Sequence, residues 1–240
     1  MPIMAVLNSI WHYMKNIFKI SGALLLIYSF MLINSCKKSN DNAIRDGDGN
    51  VYTSVKIGMQ EWLLENLKTT KYSNGDLISS VFPATTDISG ENAPKYQWPY
   101  NGDITNAAVY GRLYTWYAVT DKRNVCPTGW HVPTDVDWDT LTIYLGGESL
   151  VGGKLKESGT THWTTPNSGA DNSSNFTAIP GGYRYSNGSF LNIGNYGIWW
   201  TSTESDNTAL YRIMSYNYNA VVRGYSMENF AFSVRCIKDN

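Results

Sequence analysis

An uncharged apolar run from Ile20 to Ile33, ISGALLLIYSFMLI, divides this chain and decides which residues must build a core. Its fourteen residues fall short of the roughly 20 that a bilayer-spanning helix needs at 1.5 Å each. Lys15 and Lys19 stand just upstream, and the run has no polar face. That order, cationic then apolar, is the pattern of a secretory leader rather than of a core helix. The burial that drives folding therefore falls to the residues downstream.

The run ends in Ile33-Asn34-Ser35-Cys36, which resembles a bacterial lipobox with an unusual residue at Asn34. The resemblance implies acyl chains on Cys36, each buried methylene adding roughly 0.8 kcal/mol of membrane affinity. Residues 1–35 are expected to be a lipoprotein signal peptide, with Met14 a candidate for the true start. Residues 36–49, polar and aperiodic, read as a flexible tether. A lipid-anchored place in the cell envelope follows, with the outer membrane expected and its face left open.

The chain carries 19 Lys and Arg against 20 Asp and Glu; two of the lysines lie in the leader, so the rest is near −3. Such a balance gives no electrostatic footing for nucleic acid. Aromatic residues at 14% and 21 glycines point to short strands and tight turns. With Cys36 lipidated, Cys126 and Cys236 remain. In an exported domain they are a disulfide candidate, two free buried thiols being the alternative. No ligand spacing suggests a zinc site, and none of the other motifs requires a cofactor.

Along the body, assigned to residues 50–240, the alternation Val51, Thr53, Val55, Ile57 suits strands, with a turn at Gly58. The run Asp46-Gly47-Asp48-Gly49-Asn50 reads as a glycine-rich turn, because Ile57 stands where a calcium loop needs Glu. Residues 71–106 are expected to be surface loops. Tyr110, Leu113, Trp116 and Tyr117 fall at helical spacing, predicting a helix over 109–120. Thr134, with Asp137 three residues on, predicts a capped helix that Gly146-Gly147 stops. Asn187-Gly188 predicts a hairpin turn. Two helices followed by many short strands give an α+β class.

Seven segments occur in order: VYTSVKIGMQEWLLENLKTTKYSNGD, YGRLYTWYAVT, CPTGWHVPTDVDW, GGKLKESGTTHW, FTAIPGGYR, GIWWTSTES and FSVRC. Together they resemble the Fibrobacter succinogenes major paralogous domain over about residues 50–238. That family is similar, more remotely, to the C-type-lectin-like fold shared with formylglycine-generating enzymes. The resemblance implies two helices packed on short, twisted, mainly antiparallel strands with long loops, and it fits a Cys126–Cys236 bridge. It also implies adhesion to surfaces or polysaccharides. The reactive cysteine pair of the enzymes and the calcium motif of the lectins are both missing, so neither activity transfers.

The remaining residues offer little for catalysis. His131 reads as a loop-holding residue and His162 as exposed. Glu204 and Asp206 read as readily as a turn as a carboxylate pair. No catalytic or metal-binding residue is assigned, and the domain is read as non-enzymatic. Aromatic side chains next to hydroxyls and Arg suit sugar stacking or a protein partner. The candidate ligand-binding residues are Trp199, Trp200, Tyr183, Arg184 and Glu204. The expected function is an adhesion or recognition domain for a polysaccharide or a surface protein. A ligand-free structural envelope component is the first alternative, and an enzyme related to the formylglycine-generating type the second.

Overall fold

A computed structural model describes residues 43–206 and 208–239. The leader, Met14, Cys36 and most of the expected tether lie outside those residues. Ala43–Asn240 forms one compact unit, so residues 43–49 of the expected tether sit within it.

Among the described residues fourteen strands occur in chain order. They are β1 (Ile44–Arg45), β2 (Val51–Tyr52), β3 (Ser54–Ile57), β4 (Gln60–Leu63), β5 (Gln97–Pro99), β6 (Arg112–Thr115) and β7 (Trp130–His131), then β8 (Tyr183–Arg184), β9 (Phe190–Leu191), β10 (Tyr196–Ser205), β11 (Thr208–Ser215), β12 (Val222–Ser226), β13 (Ala231–Phe232) and β14 (Ile237–Lys238). Among the described residues four α-helices intervene: α1 (Ile104–Tyr110), α2 (Trp116–Val119), α3 (Asp135–Tyr144) and α4 (Glu148–Leu155).

The expected α+β, C-type-lectin-like fold is not what forms. Strand outweighs helix by 31% to 16%, and the strands divide into four sheets. These are β1-β2, β3-β4-β14-β7, β5-β6-β13-β8-β9 and β10-β11-β12. The predicted helix over 109–120 accounts for part of the difference. Gly111, at φ 78° and ψ −164°, ends α1, and the chain runs straight into β6. Every residue of β6 is buried between β5 and β13, so Leu113 of the expected stripe packs from a strand, while Tyr110 ends α1 and Trp116 and Tyr117 open α2. Helical spacing arose where two short helices flank a strand.

Local turn chemistry was legible. Asp46 Oδ1 accepts from the Asp48 and Asn50 amides and closes the β1–β2 hairpin. Thr134 and Asp137 form a full capping box on α3, and Gly146 and Gly147 follow its end with φ of 109° and 99°. The β8–β9 hairpin turns at Asn187-Gly188. Cys126 and Cys236 are joined by a disulfide.

Three buried clusters make up the core. One surrounds the disulfide with Tyr114, Trp200 and Phe232; a second gathers Trp62, Trp138, Phe176 and Trp199; a third holds Trp98 and Leu113. Fully buried Arg212, on β11, ties the helices to the sheet. Its guanidinium meets Asp135 and Asp139 of α3 at 2.6 Å each, and also Glu148 of α4. Arg223 of β12 extends this network to Asp139 at 2.8 Å. A buried charge held so tightly costs about 3–5 kcal/mol to orphan.

Candidate functional site: a tyrosine-lined trough

The β10-β11-β12 sheet sets the site through its period of two. Tyr196, Ile198 and Trp200 share one face of β10, opposite Ser215, Ile213 and Tyr211 on β11. Gly197 and Trp199 take the other face, towards the Trp138 cluster. The two tryptophans thus point in opposite directions, as their adjacency requires. Neither is exposed, because a packed cluster covers each face of the strand at that point.

Trp199 is fully buried and donates to Asn66 Oδ1 at 2.8 Å. Asn66 Oδ1 also accepts from Arg235 at 2.9 Å, so three family-like segments converge on a structural node. Trp200 is equally buried, donates to the Tyr114 carbonyl at 2.7 Å and stacks on Phe232 with centroids 4.1 Å apart. Arg184 has no exposure either. Its guanidinium lies 4.0 Å over Trp98 and donates to the carbonyls of Ala84, Tyr185 and Thr86. Burial pulls its pKa down to about 10, and its role is to pin residues 84–86. Glu204 is exposed towards the far end of β10. Of the five residues expected to contact a ligand, Tyr183 lines an open cavity, whereas Trp199, Trp200 and Arg184 are buried.

That cavity is a trough with two compartments on the Tyr196 face of the sheet. One, of about 220 Å³, lies between Tyr183, Tyr185, Tyr196, Tyr211 and Phe230, with β12 contributing Tyr225 and Ser226. The other, of about 260 Å³, is lined by Ser215, Tyr218, Ala220 and Val222. Tyr196 and Ile213 line both. Tyr196 and Phe230 were missed in the sequence because nothing local marks them. They reach the site through pairing and chain return, not through a motif.

The walls are held by ring-edge packing. Tyr185 meets Phe230 at 80°, Tyr183 at 82°, and Tyr211 meets Phe232 at 77°, with centroids 4.7–5.1 Å apart. Such edge-to-face pairs contribute roughly 0.5–1.5 kcal/mol each beyond burial. Gly224 on β12 makes room for Tyr211: a Cβ there would stand 2.3 Å from its ring. Asn192 donates to the Tyr183 hydroxyl at 3.1 Å. Burial pushes that hydroxyl up to about 12 and raises Tyr211 as well, so both stay neutral donors at ordinary pH.

The lining offers hydroxyls and hydrocarbon, with no carboxylate, imidazole or amine side chain. Among the described residues, no group of three or more His, Cys, Asp or Glu gathers to hold a metal ion. His131 instead bridges Asp239 at 2.6 Å and Asp137 at 3.6 Å, which raises its pKa, the Asp137 contact most. His162, expected to be exposed, is partly buried and paired with Glu157 at 2.9 Å.

Below the second compartment lies Lys156, fully buried and, among the described residues, with no carboxylate partner. Its ammonium donates to the carbonyls of Ser168, Ser215 and Tyr218, each at 2.9 Å. Two of those residues line the compartment, so the lysine fixes its wall from beneath.

No curated protein and no solved structure matches the chain. A family model, the Fibrobacter succinogenes major domain, matches residues 55–238. That span takes in the strands from β4 to β14, both partners of the disulfide and the whole trough. The chain belongs to the Fibrobacter succinogenes major domain family.

Proposed function

We propose that this protein is a lipoprotein of the cell envelope, anchored through Cys36, whose body is a non-catalytic binding domain serving adhesion or recognition. The single observation that carries the binding reading is the preformed, uncharged trough walled by Tyr183, Tyr185, Tyr196 and Tyr211. Rigid phenols combine apolar area with a hydrogen-bonding tip at little cost in side-chain entropy, which suits recognition. A lining of hydroxyls and hydrocarbon supplies no general base and no activated nucleophile, which supports binding over chemistry. The Cys126–Cys236 disulfide supports an oxidising compartment, in keeping with the leader and the outer membrane as its place.

The full-length protein in lipid nanodiscs, probed with glycan and peptide arrays, tests the reading. Tyr196→Ala and Tyr211→Ala are expected to weaken a retained ligand about 30-fold, the size of an aromatic hot spot. Their thermal midpoints should fall far less than that of Trp199→Ala, which loses about 3–5 kcal/mol of core packing. An array with no retained ligand returns the domain to a structural role. Mass spectrometry of Cys36 from a native host, showing no lipid adduct, removes the anchor.

A further inference from the structure

The trough opens beside a free sheet edge. Strand β12 pairs with β11 on one side, and among the described residues no strand pairs with its other side. An unpaired edge leaves alternate N–H and C=O groups without a ladder partner. Native edges of this kind are usually blunted by Pro, bulges or free charge. Here the one charge, Arg223, is already neutralised by Asp135 and Asp139 at 2.9 and 2.8 Å. Large exposed apolar residues crowd the same stretch instead: Tyr218, Val222, Tyr225 and Met227 are 52–65% exposed.

We propose that β12 takes an extended polypeptide strand from a partner, whose alternate side chains enter the two compartments of the trough. The inference rests on the binding reading of that trough and names its ligand class. The register supports it. Val222 lines one compartment and Ser226 the other, four residues apart, or about 14 Å along a strand. A strand added to β12 puts every second side chain on one face, so residues i and i+4 of the partner meet the two compartments. The lining has no charge to match, so those partner residues are apolar or aromatic. A sugar is the poorer fit, because the lining has no carboxylate, amide or guanidinium to grip adjacent hydroxyls. Nor does a glycan carry the N–H and C=O repeat that completes a sheet edge.

The test uses the full-length protein in nanodiscs and a synthetic library of nine-residue peptides with threonine at alternate positions and mixed apolar residues between. The tightest peptide is remade twice, N-methylated on one or the other alternate set of amides. Strand addition predicts that one methylated set loses at least about 10-fold in affinity and that the other stays within about threefold. Val222→Glu should weaken the parent peptide about 10-fold with an unchanged thermal midpoint. Equal binding of both methylated peptides overturns the edge role. Binding of a neutral oligosaccharide alone, lost in Tyr196→Ala, overturns the peptide class while leaving the binding function standing. A dimer of the protein that dissociates on Val222→Glu, with no peptide bound, overturns the partner in favour of a second copy. Retention of neither peptide nor glycan removes both this inference and the binding reading.

Discussion

Lys156 shows how one side chain can be costly and still be kept. Burial alone pulls its ammonium down to about 8, because no anion compensates the lost hydration. Three carbonyls take all three of its N–H groups and so join α4 to residues 168, 215 and 218. Below about pH 8 the amine is charged in both the folded and the unfolded chain, and folding bears the full desolvation cost. Between about 8 and the ordinary lysine range, near 10.4, the unfolded chain binds more protons than the folded one, so stability rises with pH. Urea unfolding at pH 7 and 9.5 checks this against Lys156→Met. The wild type should gain about 1–2 kcal/mol relative to the variant across that interval. Nothing around Gly152-Gly153-Lys154 announces this residue; its three acceptors are Ser168, Ser215 at the end of β11, and Tyr218, brought together only by the fold. Trp199 and Trp200 make the converse case. Their opposite directions were legible from adjacency, but whether a face is open or covered depends on what packs over it.

At the scale of elements, local side-chain chemistry is enough to place caps and turns. Thr134 and Asp137 needed only their three-residue spacing to predict the cap of α3, and Asp46 to Asn50 needed only their own side chains to predict a turn. The stretch 109–120 could not be resolved in the same way. Its aromatics satisfy a helical period, and the competing strand earns its stability from pairing with Gln97–Pro99 and Ala231–Phe232. One residue of β12 controls a wall of the trough in a comparable, non-local way. Gly224 sits beneath the Tyr211 ring, and Gly224→Ala places a methyl where that ring lies. The ring is the free end of a side chain and can swing away, so the expected stability change is below about 1 kcal/mol. The Tyr211–Phe232 ring contact, now 5.1 Å between centroids, should be lost, which an aromatic NOE experiment reads directly.

For the whole molecule, the strongest constraint is the Cys126–Cys236 bridge, whose partners lie 110 residues apart. In the chain-entropy account a loop of that length stabilises by roughly 4–5 kcal/mol, comparable with the entire margin of many domains. Cys236→Ser is expected to lose about that much in guanidinium unfolding, and dithiothreitol added to the wild type should give the same midpoint. Family membership and this bridge were both legible in the sequence, since each rests on residues that stand in recognisable segments. The division into four sheets was not, because the strands are mostly two to five residues long and their partners are scattered. The trough was legible only at Tyr183, whereas the face it shares with Tyr185, Tyr196 and Tyr211 is a product of assembly.

The last strands are not appended to the fold; they complete its middle. β13 is the central strand of its sheet, and β14 lies between β4 and β7. A polypeptide emerging amino-end first therefore keeps two gaps unfilled until residues 231–238 arrive, and Cys126 spends that interval as a free thiol. Such a strand order delays compaction of both sheets until residues 231–238 are in place, so the earlier strands stay open to rearrangement until then.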